Sequence, residues 1–265
     1  MGRAGLVIDS VGGVLALGLV VVTAVMVTTT IASRVAGRVS VVDVAWGLGF
    51  VGVALAGALL GDGDGTRRWL LALLVTAWGG RLAWHIHRRS RGRGEDPRYA
   101  ELLGDSGFAT VVRKVFVTQG VAMWLISLPV LVAAVTEVRW WPLVWVGAAL
   151  WLVGLVFETV GDAQLAAYRR DPDRGPVMDR GLWAWTRHPN YFGDACVWWG
   201  IWLVGGLATG WLPGLLTVAA PMAMTYFLVF ATGARLLERT MMKRDGYPEY
   251  AARTSMFFPL PPRGR

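Results

Sequence analysis

A short polar stretch from Trp183 to Asp194 gathers the side chains of this chain that are best suited to chemistry. It contains Arg, His, Asn, Tyr and Asp, and it lies where a polar loop meets a long apolar run. Ionisable groups are costly near hydrocarbon and need partners there. A bound polar ligand would be such a partner, so the stretch indicates a binding site at a membrane boundary.

A helix is predicted to begin inside this stretch, because Pro189 suits the first turn of a helix. Asn190 and Asp194 are four residues apart and share a face of that helix, with Tyr191 beside them. The N–H groups at the helix start can receive an anion. The alternative interpretation is a capped helix with interfacial anchors, but a buried Asp194 carboxylate needs a donor. Two side chains just before the helix are candidates for holding phosphate: Arg187 and His188.

A second polar pattern lies upstream, where the segment 158–171 is predicted to continue an apolar helix. At 3.6 residues per turn, one face carries the side chains of Glu158, Asp162 and Arg169. Carboxylates accept hydrogen bonds from ribose hydroxyl groups, and arginine binds phosphate through two parallel hydrogen bonds. The face therefore suits a ligand with both groups. An ion pair that holds two helices together is the alternative.

Two earlier apolar runs carry polar groups of their own. Asp43 is the only carboxylate in the first turns of its run, and it is either a helix N-terminal charge or a site group. The next run carries Trp78, Arg81 and His85 on one face, and Arg81 can extend to the interface. His85 and His87 lie on different faces. With three His and one Cys in the chain, we expect no metal site.

The C-terminal tail is predicted to form a basic helix and turn. Its charges fit either anchoring to anionic lipid or a cap over a phosphate-bearing cofactor. The chain contains no Gly-rich dinucleotide fingerprint and no Walker loop, so side chains between helices would hold any nucleotide. The tail residues of interest are Glu238, Arg244 and Tyr247.

The composition is that of an integral membrane protein. The chain is 55% hydrophobic and contains 15 Trp, several near the ends of apolar runs of about 20 residues. Its net charge of +8 resides mainly in short loops, so we expect no nucleic-acid partner. The single cysteine, Cys196, excludes an intrachain disulfide. We predict one all-α membrane domain over residues 1–265.

Seven membrane spans are predicted, which places the two termini on opposite sides. Most Lys and Arg then fall on one side, and only Arg3, Arg67, Arg68 and Arg139 fall on the other. The positive-inside rule assigns the C-terminus to the cytoplasm, in a bacterial inner membrane. The predicted spans are Val11–Ser33, Val41–Leu60, Trp69–Ile86, Phe116–Val135, Pro142–Val160, Tyr191–Ala208 and Trp211–Ala231.

Four segments resemble the steroid 5-alpha-reductase superfamily, and in particular its bacterial DUF1295 group. The resemblance covers roughly residues 40–260, and the Arg-His-Pro-Asn-Tyr-x-Gly-Asp core is similar to one in sterol C14- and delta-7-type reductases. The segments are Leu182–Asp194 with the preceding Asp162–Arg169 face, Val42–Gly47, Glu95–Tyr99, and Gly246–Tyr250 with Phe257–Pro259.

The resemblance implies seven transmembrane helices that enclose NADPH in a cavity open to the cytoplasm. It implies hydride transfer to a polarised C=C bond of a lipid or steroid-like substrate. Apart from the resemblance, we expect no obligate protein partner. Three groups of cofactor residues follow by position. They are Asp162, Arg169, Asn190, Tyr191 and Asp194; the phosphate or ribose contacts Arg187 and His188; and the C-terminal residues Glu238, Arg244 and Tyr247.

The chain departs from steroid reductases at the substrate-activating residue. Those enzymes use a tyrosine on the third span with a carboxylate on the second, and Trp78 lies near the tyrosine position here. Indole N–H donates a hydrogen bond but is a poor acid. Asp43, Arg81 or His85 must then supply the proton or the electrophile. We expect Asp43 and His85 to act as a pair facing the lipid substrate.

Two other functions fit parts of the pattern. An S-adenosylmethionine-dependent membrane methyltransferase of the isoprenylcysteine type has a related Arg-His-Pro-x-Tyr-x-Gly core. Asn190 together with Asp194 favours the reductase over it. A non-catalytic lipid-binding membrane protein would leave Asp162, Asn190 and Asp194 without ligand roles.

Overall fold

A computed structural model of the chain describes residues 7–104, 106–231 and 233–262. These residues form helices and contain no strand, apart from one isolated bridge between Ile8 and Gly61. Short π-helical segments continue two of the helices, at Val112–Val117 and Phe227–Ala231. The α-helices are α1 (Val11–Ala36), α2 (Val41–Leu60), α3 (Gly65–Ser90), α4 (Pro97–Leu103), α5 (Phe108–Val111), α6 (Thr118–Ile126), α7 (Leu128–Ala134), α8 (Trp141–Arg170), α9 (Pro189–Gly205), α10 (Trp211–Thr217), α11 (Ala219–Tyr226), α12 (Ala234–Met241) and α13 (Tyr247–Arg253).

Within the described residues, five helical stretches are long and apolar enough to cross a membrane, which is the pattern of a multi-pass membrane protein. Two further predicted spans, now α3 and α9, are not both long enough and apolar enough by the same measure. The helix α3 carries Arg81 and His85 in its apolar part, and α9 has 17 residues. The five stretches are Val11–Ala36, Val41–Leu60, Phe108–Ile126, Trp141–Arg170 and Trp211–Met241.

The chain divides into two compact units, and the boundaries between them fall inside α8, α9 and α11. The first unit comprises Met1–Trp145 and Ile201–Ala220, and the second comprises Val146–Gly200 and Pro221–Arg265. The expectation of a single membrane domain stays a prediction.

In the first unit, α2 and α3 touch through glycine. A Cβ added at Gly47 would lie 2.4 Å from the carbonyl oxygen of Gly79, so only glycine permits this approach. The ring of Trp78 is fully buried beside this contact and meets Phe50 edge to face at 5.8 Å. This contact fixes the face of α3 that carries Trp78.

A buried arginine ties the start of α3 to the rest of the first unit. Asp64 caps the helix by accepting a hydrogen bond of 2.8 Å from the N–H of Arg67. The Arg67 guanidinium donates to the hydroxyl of Thr209 at 2.6 Å and to the carbonyl of Ala133 at 3.0 Å. Because its side chain is wholly buried, these acceptors replace water around the charge.

In the second unit, glycines bring α8 and α9 into backbone contact. A Cβ added at Gly193 would lie 2.5 Å from the carbonyl oxygen of Gly154 and 2.7 Å from the N–H nitrogen of Glu158. A Cβ at Gly161 would lie 3.2 Å from Pro189. The predicted helix start near Asn190 and the predicted continuation of the fifth span over residues 158–171 are both confirmed to within one residue, since α9 begins at Pro189 and α8 ends at Arg170.

Candidate functional site

Arg187 lies at the centre of a buried polar cluster in the second unit. Its guanidinium donates two hydrogen bonds to the Glu238 carboxylate, from Nε to Oε1 at 2.7 Å and from Nη2 to Oε2 at 2.9 Å. Its Nη1 donates to the carbonyls of Ala251 and Thr254, both at 2.7 Å. Four of its five N–H groups therefore have acceptors within the protein. The prediction that Arg187 holds phosphate stays open, and the structure gives it a structural role as well.

Two more side chains converge on Glu238. His188 Nε2 lies 3.0 Å from Oε1 of Glu238, and the Tyr247 hydroxyl donates to the same oxygen at 3.0 Å. Burial raises the pKa of Tyr247, and the neighbouring Glu238 carboxylate raises it further, so the phenol keeps its proton. Glu238 thus joins two predicted residues of the loop to one predicted residue of the tail.

Backbone contacts hold the segment before α9 against the C-terminal segment. The N–H of Arg187 donates to the carbonyl of Ser255 at 2.8 Å, and the Thr186 hydroxyl donates to Phe257 at 2.9 Å. On the other side, the Trp183 indole donates to the carbonyl of Gly161 on α8 at 3.0 Å. These bonds fix the direction in which the segment enters α9.

The predicted carboxylates of α8 lie beside the first turn of α9. The Asn190 amide donates to Asp162 at 3.4 Å, and Glu158 approaches Gly193 through the glycine contact described above. Glu158 is 3% exposed and Asp194 is 8% exposed. This set offers carboxylate and amide oxygens to the hydroxyl groups of a ligand.

The remaining predicted cofactor residues lie at the edge of this set or on the surface. The Tyr191 ring stacks on His188, with the centroids 5.5 Å apart and the planes inclined by 6°. Arg169 and Arg244 are exposed. Four of the predicted residues, Arg187, His188, Glu238 and Tyr247, thus form one buried cluster, and their roles toward a cofactor stay a prediction.

Asp43, a predicted catalytic residue in the first unit, is held by two neighbours that the sequence analysis did not assign. Arg98 pairs with it at 2.9 Å, and the Tyr99 hydroxyl donates to it at 2.6 Å. Gln119 in turn donates to the Tyr99 oxygen at 3.1 Å. The Glu-Asp-Pro-Arg-Tyr segment was a visible signal, but its partner on α2 is more than fifty residues away.

Burial raises the pKa of Tyr99, and the charge of Asp43 raises it further. Tyr99 is therefore a protonated donor under physiological conditions. The other predicted catalytic residues lie on α3, where Trp78 is buried in the core and both Arg81 and His85 are partly buried. The pairing of Asp43 with His85 stays a prediction.

The comparisons with known proteins identify a family. The chain belongs to the family described as "Protein of unknown function (DUF1295)", which matches residues 7–254. It is also similar to the nickel-cobalt-cadmium resistance protein NccN of Alcaligenes xylosoxydans xylosoxydans, with 29% identity over 147 residues. That alignment covers 52% of this chain and 64% of the relative, which is less than two thirds of its length. No solved structure matches the chain.

Proposed function

We propose that this protein is an NADPH-dependent membrane reductase that transfers hydride to a polarised C=C bond of a lipid or steroid-like substrate. The observation that carries the proposal is the side-chain contact between Asp162 and Asn190. It joins the polar face of α8 to the first turn of α9, beside the buried carboxylates Glu158 and Asp194. The resemblance to the steroid 5-alpha-reductase superfamily implies a nucleotide cofactor, and these groups suit the hydroxyl groups of such a cofactor.

The residues present fit a phosphate-bearing dinucleotide. Asp162, Glu158 and Asp194 would accept hydroxyl groups, and the exposed Arg169 and Arg244 would receive phosphate. Because α8 and α9 touch through their glycines, the cofactor would lie across the helix pair. NADPH supplies a hydride to the substrate carbon when it is bound.

The buried cluster around Glu238 holds the start of α9 in place beside this proposed site. Arg187, His188 and Tyr247 converge on one carboxylate and connect the start of α9 to the tail. In this arrangement they orient Asn190 and Tyr191, and His188 also offers its ring face to Tyr191.

The substrate half of the reaction needs a proton and a donor for the developing negative charge on the carbonyl oxygen. Hydride addition beside a carbonyl leaves an enolate, which a positioned donor stabilises. Arg81 and His85 on α3 are the candidates for donor and acid, with Asp43 as the charged partner. Trp78 is fully buried, so in this proposal it shapes the wall of the substrate site next to Arg81 and His85.

The proposal includes seven membrane spans, with a cofactor cavity open to the cytoplasm. In this proposal, α3 and α9 cross the membrane in addition to the five stretches of span length. The positive-inside distribution of Lys and Arg supports the proposal that the C-terminus lies on the cytoplasmic side, in a bacterial inner membrane.

The printed name of the relative assigns metal resistance to that protein. Among residues 7–104, 106–231 and 233–262, no group of three His, Cys, Asp or Glu side chains is placed to hold a metal ion.

A panel of three ligands tests the proposal. The protein, purified in mild detergent, is heated with NADPH, NADH or S-adenosylmethionine. A ligand that binds only the folded state at a hundred times its Kd adds about 2.7 kcal/mol of stability. We expect NADPH to raise the melting temperature and Asp194→Ala to abolish that rise. Selective stabilisation by S-adenosylmethionine would indicate the methyltransferase, and no shift with any ligand would favour a non-enzyme.

A further inference from the structure

A cavity of about 620 Å³ lies in the second unit, between the end of α8, the segment 171–181 and α13. Among the described residues that line it, none belongs to the predicted cofactor set. Gln164 and Tyr168 line it from one side of α8, and Asp171 lines it directly after the end of that helix. Glu158, Asp162 and Arg169 project from roughly the opposite side, since a residue turns about 100° along a helix. The cavity is therefore separate from the proposed cofactor site.

The charges on the cavity wall are balanced. Arg253 and Asp179 pair with each other at 2.5 Å. Two guanidinium groups, Arg174 and Arg180, and two carboxylates, Asp171 and Glu249, remain on the wall. A purely anionic ligand would meet both carboxylates and a purely cationic one both guanidinium groups. A zwitterion matches both signs of charge.

The local contacts leave much of this charge available. Arg174 uses Nη1 to hold the carbonyls of Arg169 and Asp171, at 3.2 and 3.5 Å, and so fixes the turn after α8. One oxygen of Asp171 accepts the N–H of Asp173 at 2.9 Å. Arg180 and Glu249 form no ion pair with any described side chain.

The length of α8 indicates the depth of the cavity. Its 30 residues extend over about 45 Å, whereas the hydrocarbon core of a bilayer is about 30 Å thick. The last turns of the helix, which line the cavity, therefore reach the level of the lipid headgroups. Three apolar side chains complete the wall: Pro176, Val177 and Met178.

We propose that this cavity binds the headgroup of a zwitterionic aminophospholipid. Arg174 and Arg180 receive the phosphate, because guanidinium groups match its oxygens in geometry and charge. Asp171 and Glu249 receive the ammonium group, and the apolar wall contacts the glycerol and the first acyl carbons. A volume of about 620 Å³ lies within the range of small-molecule sites.

The test is a binding titration of delipidated protein in mild detergent with short-chain phosphatidylethanolamine, phosphatidylglycerol and water-soluble O-phosphoethanolamine. We expect phosphatidylethanolamine to bind at least about tenfold more tightly than phosphatidylglycerol, a difference of about 1.4 kcal/mol. Arg180→Gln should weaken the binding of both lipids. Glu249→Gln should remove the preference for phosphatidylethanolamine.

Two exposed residues outside the cavity provide matched controls: Arg170→Gln and Glu101→Gln should bind like the unaltered protein. The proposal is overturned if the two lipids bind equally well, or if Arg180→Gln and Glu249→Gln behave like the controls. Equal affinity for O-phosphoethanolamine and phosphatidylethanolamine would also overturn it, because the ligand would then be a soluble zwitterion. The titration needs no nucleotide, so its outcome is independent of the proposed reductase function.

Discussion

At the scale of single residues, Glu238 connects three polar side chains of the second unit. It accepts hydrogen bonds from Arg187 and Tyr247 and lies within hydrogen-bond distance of His188. The side chains of Glu238 and Arg187 are only 13% and 11% exposed. Removing one partner of a buried pair leaves the other charge without compensation.

We therefore predict that Glu238→Ala lowers the free energy of unfolding by about 3–5 kcal/mol, as measured by chemical denaturation in detergent. The control is Arg253→Gln, which breaks the Arg253–Asp179 pair. Both of those side chains are 32% exposed, so the loss should be about 1 kcal/mol or less. Equal losses for the two variants would show that the Glu238 cluster is not a buried ion pair in solution.

The sequence predicted the residue types of this cluster but not their partners. Arg187, His188, Glu238 and Tyr247 were all selected as candidates for ligand contacts. That Arg187 and Glu238 meet across 51 positions depends on tertiary structure, which no local spacing reveals. The same holds for Asp43, because its partners Arg98 and Tyr99 lie in a segment that the sequence analysis singled out only for its family resemblance.

At the scale of elements, the glycine contact between α8 and α9 sets the distance between the two polar helix faces. The sequence predicted both helices and a helix start near Asn190, and α9 begins at Pro189. It did not predict the close approach of Gly154 and Gly193, because a glycine in an apolar run has no periodic signal of its own.

We predict that Gly193→Ala lowers the free energy of unfolding by about 1–3 kcal/mol, because the new methyl group overpacks the contact. It should also weaken stabilisation by NADPH, since it moves Glu158 away from α9. The control is Gly80→Ala on α3, where an added Cβ meets nothing within 4 Å. Alanine there should be neutral or stabilising, and thermal melts of both variants with and without NADPH make the comparison.

Glu95 attaches the polar loop between α3 and α4 to the start of α2. Burial raises the pKa of Glu95, but hydrogen bonds from the N–H groups of Val39 and Ser40 outweigh it. The pKa therefore lies below its ordinary value of 4.5. The stabilisation from these bonds is present above 4.5 and is lost as the pH falls through the lowered pKa of the folded state.

Thermal melts of the unaltered protein and of Glu95→Gln over a pH series measure this contribution. We expect the difference in melting temperature to be constant near neutral pH and to shrink in the acidic range below about 4.5. Glu101→Gln, an exposed change in the same loop, should show no such trend. A difference that persists unchanged into the acidic range would mean that the Glu95 carboxylate does not hold the loop.

At the scale of the whole molecule, composition and hydropathy predicted an all-helical, multi-pass protein, and the helices of the structure agree. The count of seven spans stays a prediction, because it depends on whether α3 and α9 also cross the membrane. Charged and imidazole groups lower the hydropathy of α3, and α9 is short. Both properties fit helices that face a polar ligand, which is why hydropathy alone is a weak guide to them.

The proposed reductase function requires that the polar face shared by α8 and α9 binds NADPH. Equilibrium titration of NADPH against the unaltered protein and Asp162→Ala, in the same detergent, measures this binding. Asp173→Ala, an exposed change of the same charge in the same unit, is the control. We predict that Asp162→Ala raises the Kd at least about tenfold, or about 1.4 kcal/mol, and that the control does not. Identical Kd values for all three proteins, or no binding by the unaltered protein, would contradict the claim.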